Sequence, residues 1–254
     1  MSEAAGQRLQ KALAHLGLAS RREVEGWIRA GRLTVNGQPA TLGMRVVAAD
    51  KVRLDGRLVR QRVGSGIKIF IVHRSPGVEI RELLQHLPRS GGRRFVTVSP
   101  MPAIDGGLEL VSSDGETAER LQRGMRRLTV DFSVRVHGEL SPEGVARVLQ
   151  GVLDNGTTVL VQSCDGAGGE GSNRWYNLVA VGASGKDVRQ LFERQGAMVS
   201  RVLRTRLGTV TLDRSLPRGR SRLLTDEEAA TLMTALTVTA GAADQDAQPL
   251  GQTP

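Results

Sequence analysis

One loop of the sequence carries a carboxylate in a position typical of catalytic groups. The stretch VSPMPAIDGGLELVSSDG covers residues 98–115. The strand-like run at 94–98 ends at the first residue of this stretch. Pro100 and Pro102 precede Asp105 and a pair of glycines, after which apolar residues alternate as in a second strand. A carboxylate at a sheet edge can act as a nucleophile or as a general acid or base. An aspartate before glycine can equally bond its own backbone in a turn, so both roles stay open for Asp105.

The other reactive side chains do not form a recognisable site. Cys164, in a glycine-rich stretch, is the only cysteine, which excludes an intrachain disulfide and a cysteine metal cluster. The four histidines are scattered without the spacing of metal ligands. GAGGEG at 166–171 precedes a predicted strand rather than a helix, which argues against a nucleotide-binding loop. These residues therefore predict neither a metal site nor a nucleotide-binding loop.

The chain is basic, and its positive charge is concentrated near its start. The net charge is +9 over 254 residues, and residues 1–66 hold 12 Lys and Arg against 5 Asp and Glu. Such a concentration is typical of a nucleic-acid-binding module attached to a near-balanced domain. Aromatic residues make up only 3% of the chain, so we expect arginine contacts with phosphate to dominate over base stacking.

The hydropathy pattern predicts where the protein works. No run approaches 18 consecutive apolar residues, which argues against a membrane span. The first residues lack the apolar segment of a secretory signal. The expectation is a cytoplasmic protein, and we expect it to be a monomer.

Two short helices are predicted in the first quarter of the chain. Leu9, Leu13 and Leu16 recur at helical spacing. SRRE at 20–23 has the pattern of a capping box that starts a second helix, and the Asn36-Gly37 pair predicts a tight turn between strands. Any one basic residue here is most simply a solvated surface residue, but five close together favour a binding face. They are Lys11, Arg21, Arg22, Arg29 and Arg32.

This N-terminal stretch resembles a known RNA-binding module. RLQKALAHLGLASRREVEGWIRAGRLTVNGQPATLGMRV, residues 8–46, is similar to the S-four domain in its helix, its GLASRRE junction, its GRLTVNG hairpin and its LGMRV strand. The resemblance implies an S-four domain over residues 8–60. It also implies that the five basic residues of the two helices contact structured RNA.

The remainder of the chain predicts a larger domain over residues 67–235, after a polar connection at 61–66. Strand patterns such as IKIFIVH, LTVDFSVRVHG and WYNLVAV alternate with helix patterns such as GETAERLQRGM, SPEGVARVLQGV and GKDVRQLFERQG. The predicted fold class is α+β, with a small helix-rich domain followed by a larger domain with a mixed or antiparallel sheet. Residues 237–254 lack a periodic apolar face and predict a disordered tail.

The order of domains and motifs resembles the RsuA/RluB branch of the bacterial pseudouridine synthases, which isomerise one uridine in ribosomal RNA. HRSPG resembles the family's HKPxG strand end, and GGLELVSSDGETAERL resembles GLLLFTxDGxLAxRL. VDFSVRVHG, GEGSNRWYNL and KDVRQLFERQGAMVSRVLRTRLG match further family segments in the same order. The resemblance implies a fold and a chemistry that use no metal and no cofactor. The family's catalytic carboxylate, which attacks or assists at the target nucleotide, is the aspartate of the motif GRLDxxTxGLLL.

The catalytic motif itself is altered in this sequence. Aligned without gaps, Pro102 stands at the family's aspartate and Asp105 at its threonine, three residues later. Phe132 stands at the tyrosine of the family's REYxVRV strand, so the ring is kept without its hydroxyl. Proline offers neither a nucleophile nor a proton. The motif therefore names no catalytic residue, with Asp105 as a substitute only if its loop returns the carboxylate to the same point.

Three functional hypotheses follow from the sequence. The preferred one is a non-catalytic RNA-binding protein of ribosomal RNA or ribosomal particles. The alternative is an active ribosomal RNA pseudouridine synthase that uses Asp105. The third is an S-four protein that serves stalled ribosomes or another RNA. Arg189, on the helix that lines the family's site, is a further candidate for RNA contact, although a solvated helix face explains it equally well.

Overall fold

The computed structural model describes residues 6–16, 18–59, 68–88 and 94–243. The chain divides into two compact units, one built around the first quarter of the sequence and the other around most of the remainder. The connection at 61–66 lies outside the described residues, so the domain limits 8–60 and 67–235 stay predictions.

Among its described residues, the smaller unit contains the two predicted helices and six short strands. The elements are β1 (Gln7–Arg8), α1 (Leu9–His15), α2 (Arg21–Arg29), β2 (Leu33–Val35), β3 (Gln38–Pro39), β4 (Arg45–Val46), β5 (Val52–Leu54) and β6 (Arg57–Leu58). The predicted capping box is confirmed, because the Ser20 hydroxyl accepts from the Glu23 amide and the Glu23 side chain accepts from the Ser20 amide. The tight turn is confirmed as well, with φ of 53° at Asn36 and 86° at Gly37.

The apolar positions of these helices form the core of the smaller unit. Leu9 and Leu13 of α1 and Val24 and Ile28 of α2 are buried together with Leu33 of β2. Strands β3, β2, β5 and β6 form one antiparallel sheet, and β1 pairs with β4. Burial of the apolar stripe leaves the basic faces of both helices outward.

The larger unit is a mixed sheet with helices between its strands. Its strands are β7 (Ile69–Arg74), β8 (Val96–Thr97), β9 (Gly106–Ser112), β10 (Thr129–His137), β11 (Leu160–Gly166), β12 (Asn173–Val181), β13 (Met198–Leu207), β14 (Val210–Thr211) and β15 (Ser221–Leu223). Its helices are α3 (Ile80–Gln85), α4 (Gly115–Gly124), α5 (Pro142–Gln150), α6 (Gly185–Glu193) and α7 (Asp226–Ala243).

The strand order of this sheet places the altered motif in its middle. The order is β11-β12-β10-β13-β9-β7-β15, with β14 beside β13 and β8 beside β9. Strands β12 and β13 flank β10 antiparallel, whereas β9 runs parallel to β13. The predicted α+β class with a mixed sheet is therefore confirmed.

Three local features differ from the sequence-based expectation. Every residue of β9 is buried, so this strand is covered on both faces and does not alternate. Cys164 lies on β11 and not in a loop. Helix α7 continues to Ala243, so residues 237–243 are helical where a disordered tail was expected, and residues 244–254 lie outside the described part of the chain. None of the helices in the described ranges is long and apolar enough to cross a membrane.

Candidate functional site

The altered motif lies in the loop between β8 and β9, and three buried charged side chains hold this loop. Arg74 and Arg204 are 1% exposed and Glu109 is 0% exposed. Glu109 bridges the two arginines, accepting from Arg74 Nε at 2.9 Å through Oε1 and from Arg204 Nη2 at 3.0 Å through Oε2. It also accepts from the Met101 amide at 2.9 Å. The start of the loop is thereby tied to three strands.

Backbone carbonyls complete the coordination of both guanidinium groups. Arg74 donates through Nη2 to the carbonyls of Met101 at 2.9 Å and Pro102 at 2.8 Å. Arg204 donates to the Ser99 carbonyl at 2.7 Å and to that of Leu108 at 2.7 Å. Burial lowers the pKa of Arg204 and the charge of Arg74 lowers it further, while Glu109 opposes both. Two buried cations share one carboxylate, so the carbonyl dipoles supply the remaining stabilisation.

The glycine pair after Asp105 is part of this packed centre. A Cβ on Gly106 would lie 2.5 Å from the Arg74 carbonyl oxygen, and one on Gly107 would lie 2.3 Å from that of Arg204. Gly107 also has a φ of +93°. Catalysis by Asp105 would require this loop to fold back through these residues. In the structure they start a buried strand, because only glycine permits β9 to approach its neighbours so closely.

Asp105 points into the protein. Its side chain is 0% exposed, and Oδ1 accepts from Arg189 Nη2 at 2.5 Å and from the Val202 amide at 2.8 Å. Oδ2 accepts from Arg189 Nε at 3.4 Å. Arg189 comes from α6, whose start is fixed by a capping box between Ser184 and Asp187. The carboxylate is thus occupied from two directions.

Arg189 is the one member of this pair that reaches the surface. Its side chain is 16% exposed, and its Nη1 donates to the Val199 carbonyl at 2.7 Å. Burial lowers the pKa of Arg189, but the hydrogen bond and charge of Asp105, aided by Glu193, raise it overall. The guanidinium is therefore directed mainly at Asp105.

Pro102 and Phe132, the other two altered positions, offer no polar side chain. The Pro102 carbonyl accepts from Arg74 and from the Asp105 amide, the latter at 3.0 Å. A Cβ on Gly185 would lie 3.2 Å from Pro102 Cδ, so the loop packs against the start of α6. Phe132 on β10 is 1% exposed and belongs to the hydrophobic core.

The basic residues predicted to bind RNA lie on the surface of the smaller unit. Arg21 and Arg22 are exposed in the first turn of α2, where the amide groups of a helix N-terminus also favour anions. Arg29 is 62% exposed in its side chain and lies 3.9 Å from Glu25. Lys11 is 42% exposed in its side chain, on α1.

Arg32 already has strong partners on the smaller unit. It forms a bidentate pair with Asp55, at 2.9 and 2.5 Å, and its guanidinium lies 5.6 Å from the centre of the Trp27 ring. The hydrogen bond with Asp55 raises the pKa of Arg32. An RNA contact by Arg32 would have to share or replace this pair.

Comparison with known proteins gives the family of the chain. Residues 7–52 match the family model of the S4 domain, which is the predicted S-four module. Ribosomal large subunit pseudouridine synthase B of Pseudomonas aeruginosa is 36% identical over 234 residues, which are 88% of this chain and 61% of that protein. The protein of the same name from Vibrio cholerae is 36% identical over 224 residues, which are 84% of this chain and 70% of that protein. The chain therefore belongs to the family of the ribosomal large subunit pseudouridine synthases B.

The fold agrees with family membership. A solved pseudouridylate synthase is similar with a TM-score of 0.56 at 19% identity, over 89% of this chain and 99% of that one. The predicted resemblance to the pseudouridine synthases with an N-terminal S-four domain is therefore confirmed. The chain spans only about three fifths of the Pseudomonas aeruginosa relative.

Sequence reasoning missed the residues that hold the altered motif of this family member. Arg74, Glu109 and Arg204 lie far apart in the chain, and the bond between Arg204 and Glu109 joins positions 95 residues apart. Arg74 and Glu109 occur within quoted motifs, HRSPG and GGLELV, as a charged residue in an otherwise apolar strand. A charge at such a place is a detectable signal, because it must be paired when buried.

The remaining reactive groups lie apart from the altered motif. Burial, with the charge of Asp165, raises the pKa of the Cys164 thiol to about 12, which disfavours the reactive thiolate. His73 contacts the Leu216 carbonyl through Nδ1 at 2.8 Å. Within the described ranges no group of three or more His, Cys, Asp or Glu side chains is arranged to hold a metal ion.

Proposed function

We propose that this chain is an RNA-binding member of the pseudouridine synthase family that does not catalyse isomerisation. The observation that carries the proposal is the state of Asp105, the carboxylate nearest in sequence to the family's aspartate position. It is fully buried, and both of its oxygens are occupied by Arg189 and by the Val202 amide.

The chemistry of the family sets the standard that this carboxylate would have to meet. A nucleophile must come within roughly 3–3.5 Å of the reacting atom of a nucleotide flipped out of its stack. Asp105 would have to leave Arg189 and the interior first, and Pro102 has no group that could replace it. Loss of a nucleophile costs on the order of 10⁶ in rate in a well-studied enzyme.

The S4 domain supports the RNA-binding half of the proposal. Its two helices present Arg21, Arg22 and Arg29 outward, and positive charge is concentrated in this quarter of the chain. The relatives are named for the ribosomal large subunit, so ribosomal RNA is the proposed partner. We expect the protein to bind it as a monomer without a metal or cofactor.

One observation favours the alternative of an active synthase. Asp105 is held in a single orientation beside a guanidinium that is 16% exposed. A movement of α6 that carried Arg189 outward would uncover a carboxylate that is already positioned. Catalysis by Asp105 would then depend on RNA binding to open the site.

The test combines both halves of the proposal. The purified full chain is incubated with a transcript of ribosomal large subunit RNA, and binding and pseudouridine content are measured, the latter by mass spectrometry. We expect salt-sensitive binding and no pseudouridine. A product that Asp105→Asn abolishes would establish the alternative instead.

Charge reversal tests where the RNA binds. Replacing Arg21 and Arg22 by Glu should weaken binding at least about tenfold and reduce the salt dependence, since each lost phosphate contact lowers its slope by about one. The matched control reverses two exposed arginines of the larger unit, Arg120 and Arg147. Equal affinity of the Arg21 and Arg22 variant and the unaltered chain would refute the binding role of α2.

A further inference from the structure

A concave surface lies on the sheet of the larger unit, away from the Asp105 loop in sequence. It is a pocket of about 700 Å³, within the range of roughly 300–1,000 Å³ that holds small ligands. Its lining residues are Arg135, Gly169, Glu170, Gly171, Asn173 and Trp175. These residues fall within GAGGEG, GEGSNRWYNL and VDFSVRVHG, and no binding role was predicted for any of them.

Strand register aligns an aromatic ring with two guanidinium groups on one face of the sheet. Arg135 on β10 lies opposite Trp175 on β12 and opposite Arg201 on β13. Residues directly opposite in antiparallel strands present their side chains on the same face, with Cβ atoms about 4.5–5.5 Å apart. Trp175, Arg135 and Arg201 therefore form one row across three adjacent strands.

The two arginines of this row lack acidic partners. Like charges directly opposite each other destabilise a sheet, yet neither Arg135 nor Arg201 forms an ion pair within the described part of the chain. By contrast, Arg206 on the same strand is paired with Asp131 at 2.6 Å. The unpaired row favours an anion as ligand.

Backbone hydrogen bonds and a close glycine contact hold the loop that borders the pocket. Trp175 donates its amide to the Gly168 carbonyl at 2.8 Å and accepts at its carbonyl from the Ala167 amide at 2.8 Å. A Cβ on Gly169 would lie 2.0 Å from the Asn173 carbonyl oxygen, so glycine is needed where the loop folds over the strand. The loop places Glu170 in the lining.

We propose that this pocket binds one unpaired nucleotide of an RNA chain. The base stacks on Trp175, and its phosphate lies between Arg135 and Arg201. The Glu170 carboxylate, which only accepts hydrogen bonds, repels phosphate and accepts from a base amino group, so the base faces the loop. This inference rests on the proposed RNA-binding function and adds a site for single-stranded RNA outside the S4 domain.

The chain offers a local reporter for this site. It has two tryptophans, so Trp27→Phe leaves Trp175 as the only one. We expect a cytidine decanucleotide to quench Trp175 fluorescence saturably. In the unaltered chain, Trp175→Leu should weaken decanucleotide binding about 5- to 150-fold, the range for loss of one base–aromatic stack. Because both arginines contact one phosphate, replacing Arg135 and Arg201 by Gln should lower the salt slope by about 0.7–1, whereas Arg126→Gln, an exposed control, should not.

The outcomes separate this site from the proposed function. Quenching that persists when Arg21 and Arg22 are reversed supports an independent site. Binding of structured RNA without any change in Trp175 fluorescence overturns the pocket and leaves the proposed function standing. Where circular dichroism shows that a variant does not fold, the unaltered chain is crosslinked to the decanucleotide with ultraviolet light. A crosslink within the segments around 135, 169–175 and 201 supports the proposed pocket, and a crosslink outside them overturns it.

Discussion

At the scale of single residues, two buried acids differ in how far their arginine partners reach solvent. Glu109 forms ion pairs with Arg74 and Arg204, whose side chains are both 1% exposed. Asp105 forms an ion pair with Arg189, whose side chain is 16% exposed. Removing one partner of a buried pair costs about 3–5 kcal/mol, because the other charge stays buried and unpaired. We expect that cost for Glu109→Gln and a smaller one, about 1–3 kcal/mol, for Asp105→Asn, since Arg189 can regain water.

Urea unfolding of the two variants and the unaltered chain measures this difference in the free energy of unfolding. Equal losses would mean that Arg189 does not regain water when its partner is neutral. The comparison also serves the isomerase test, because it establishes that Asp105→Asn is folded when its product is assayed.

At the scale of elements, the start of α7 depends on one ionised side chain. Glu228 accepts from Arg222 at 2.7 Å through each oxygen and from the Thr225 amide at 2.8 Å, and its own amide donates to the Thr225 hydroxyl. The hydrogen bonds of Arg222, opposed by burial, lower the pKa of Glu228 from 4.5 to about 2. A depressed pKa contributes stability above pH 4.5 that is lost as the pH falls towards 2.

Glu228→Gln should therefore destabilise the larger unit by about 1 kcal/mol at pH 7, a value reduced because the pair is one-third exposed to solvent. The difference from the unaltered chain should shrink as the pH falls from 4.5 to 2, measured by urea unfolding at several pH values. Glu227→Gln, in the same first turn, is the control. A loss that does not vary with pH would point to packing rather than to charge.

At the scale of the whole molecule, each unit has its own hydrophobic core and its own tryptophan. Trp27 packs against the core of Leu9, Leu13 and their neighbours, whereas Trp175 lies on the sheet of the larger unit. Leu13→Ala should destabilise the smaller unit by about 2–5 kcal/mol, because Leu13 is 1% exposed. The larger unit should be unaffected if the two cores unfold separately.

Single-tryptophan variants report the two cores separately. In the Trp175→Phe background, Leu13→Ala should lower the denaturant midpoint of Trp27 fluorescence. In the Trp27→Phe background it should leave the midpoint of Trp175 in place. Parallel shifts of both midpoints would show that the chain unfolds as one cooperative unit.

Local features of the fold follow from the sequence by itself. Three such features are the capping box at Ser20, the turn at Asn36-Gly37 and the alternation of β10. Each depends on residues only a few positions apart, so its pattern can be recognised in the sequence. Family membership was predictable for the same reason, because its motifs are short and occur in order. The same short motifs reveal that Pro102 stands at the family's aspartate position.

Only the tertiary structure determined the surroundings of those residues. Asp105 meets Arg189 across 84 residues, and Glu109 lies between arginines of two other strands. The row of Trp175, Arg135 and Arg201 exists only because three strands pair in one register. Burial and pairing of charges depend on which distant segments fold together, so the sequence could place a carboxylate at position 105, and only the fold could direct it inward.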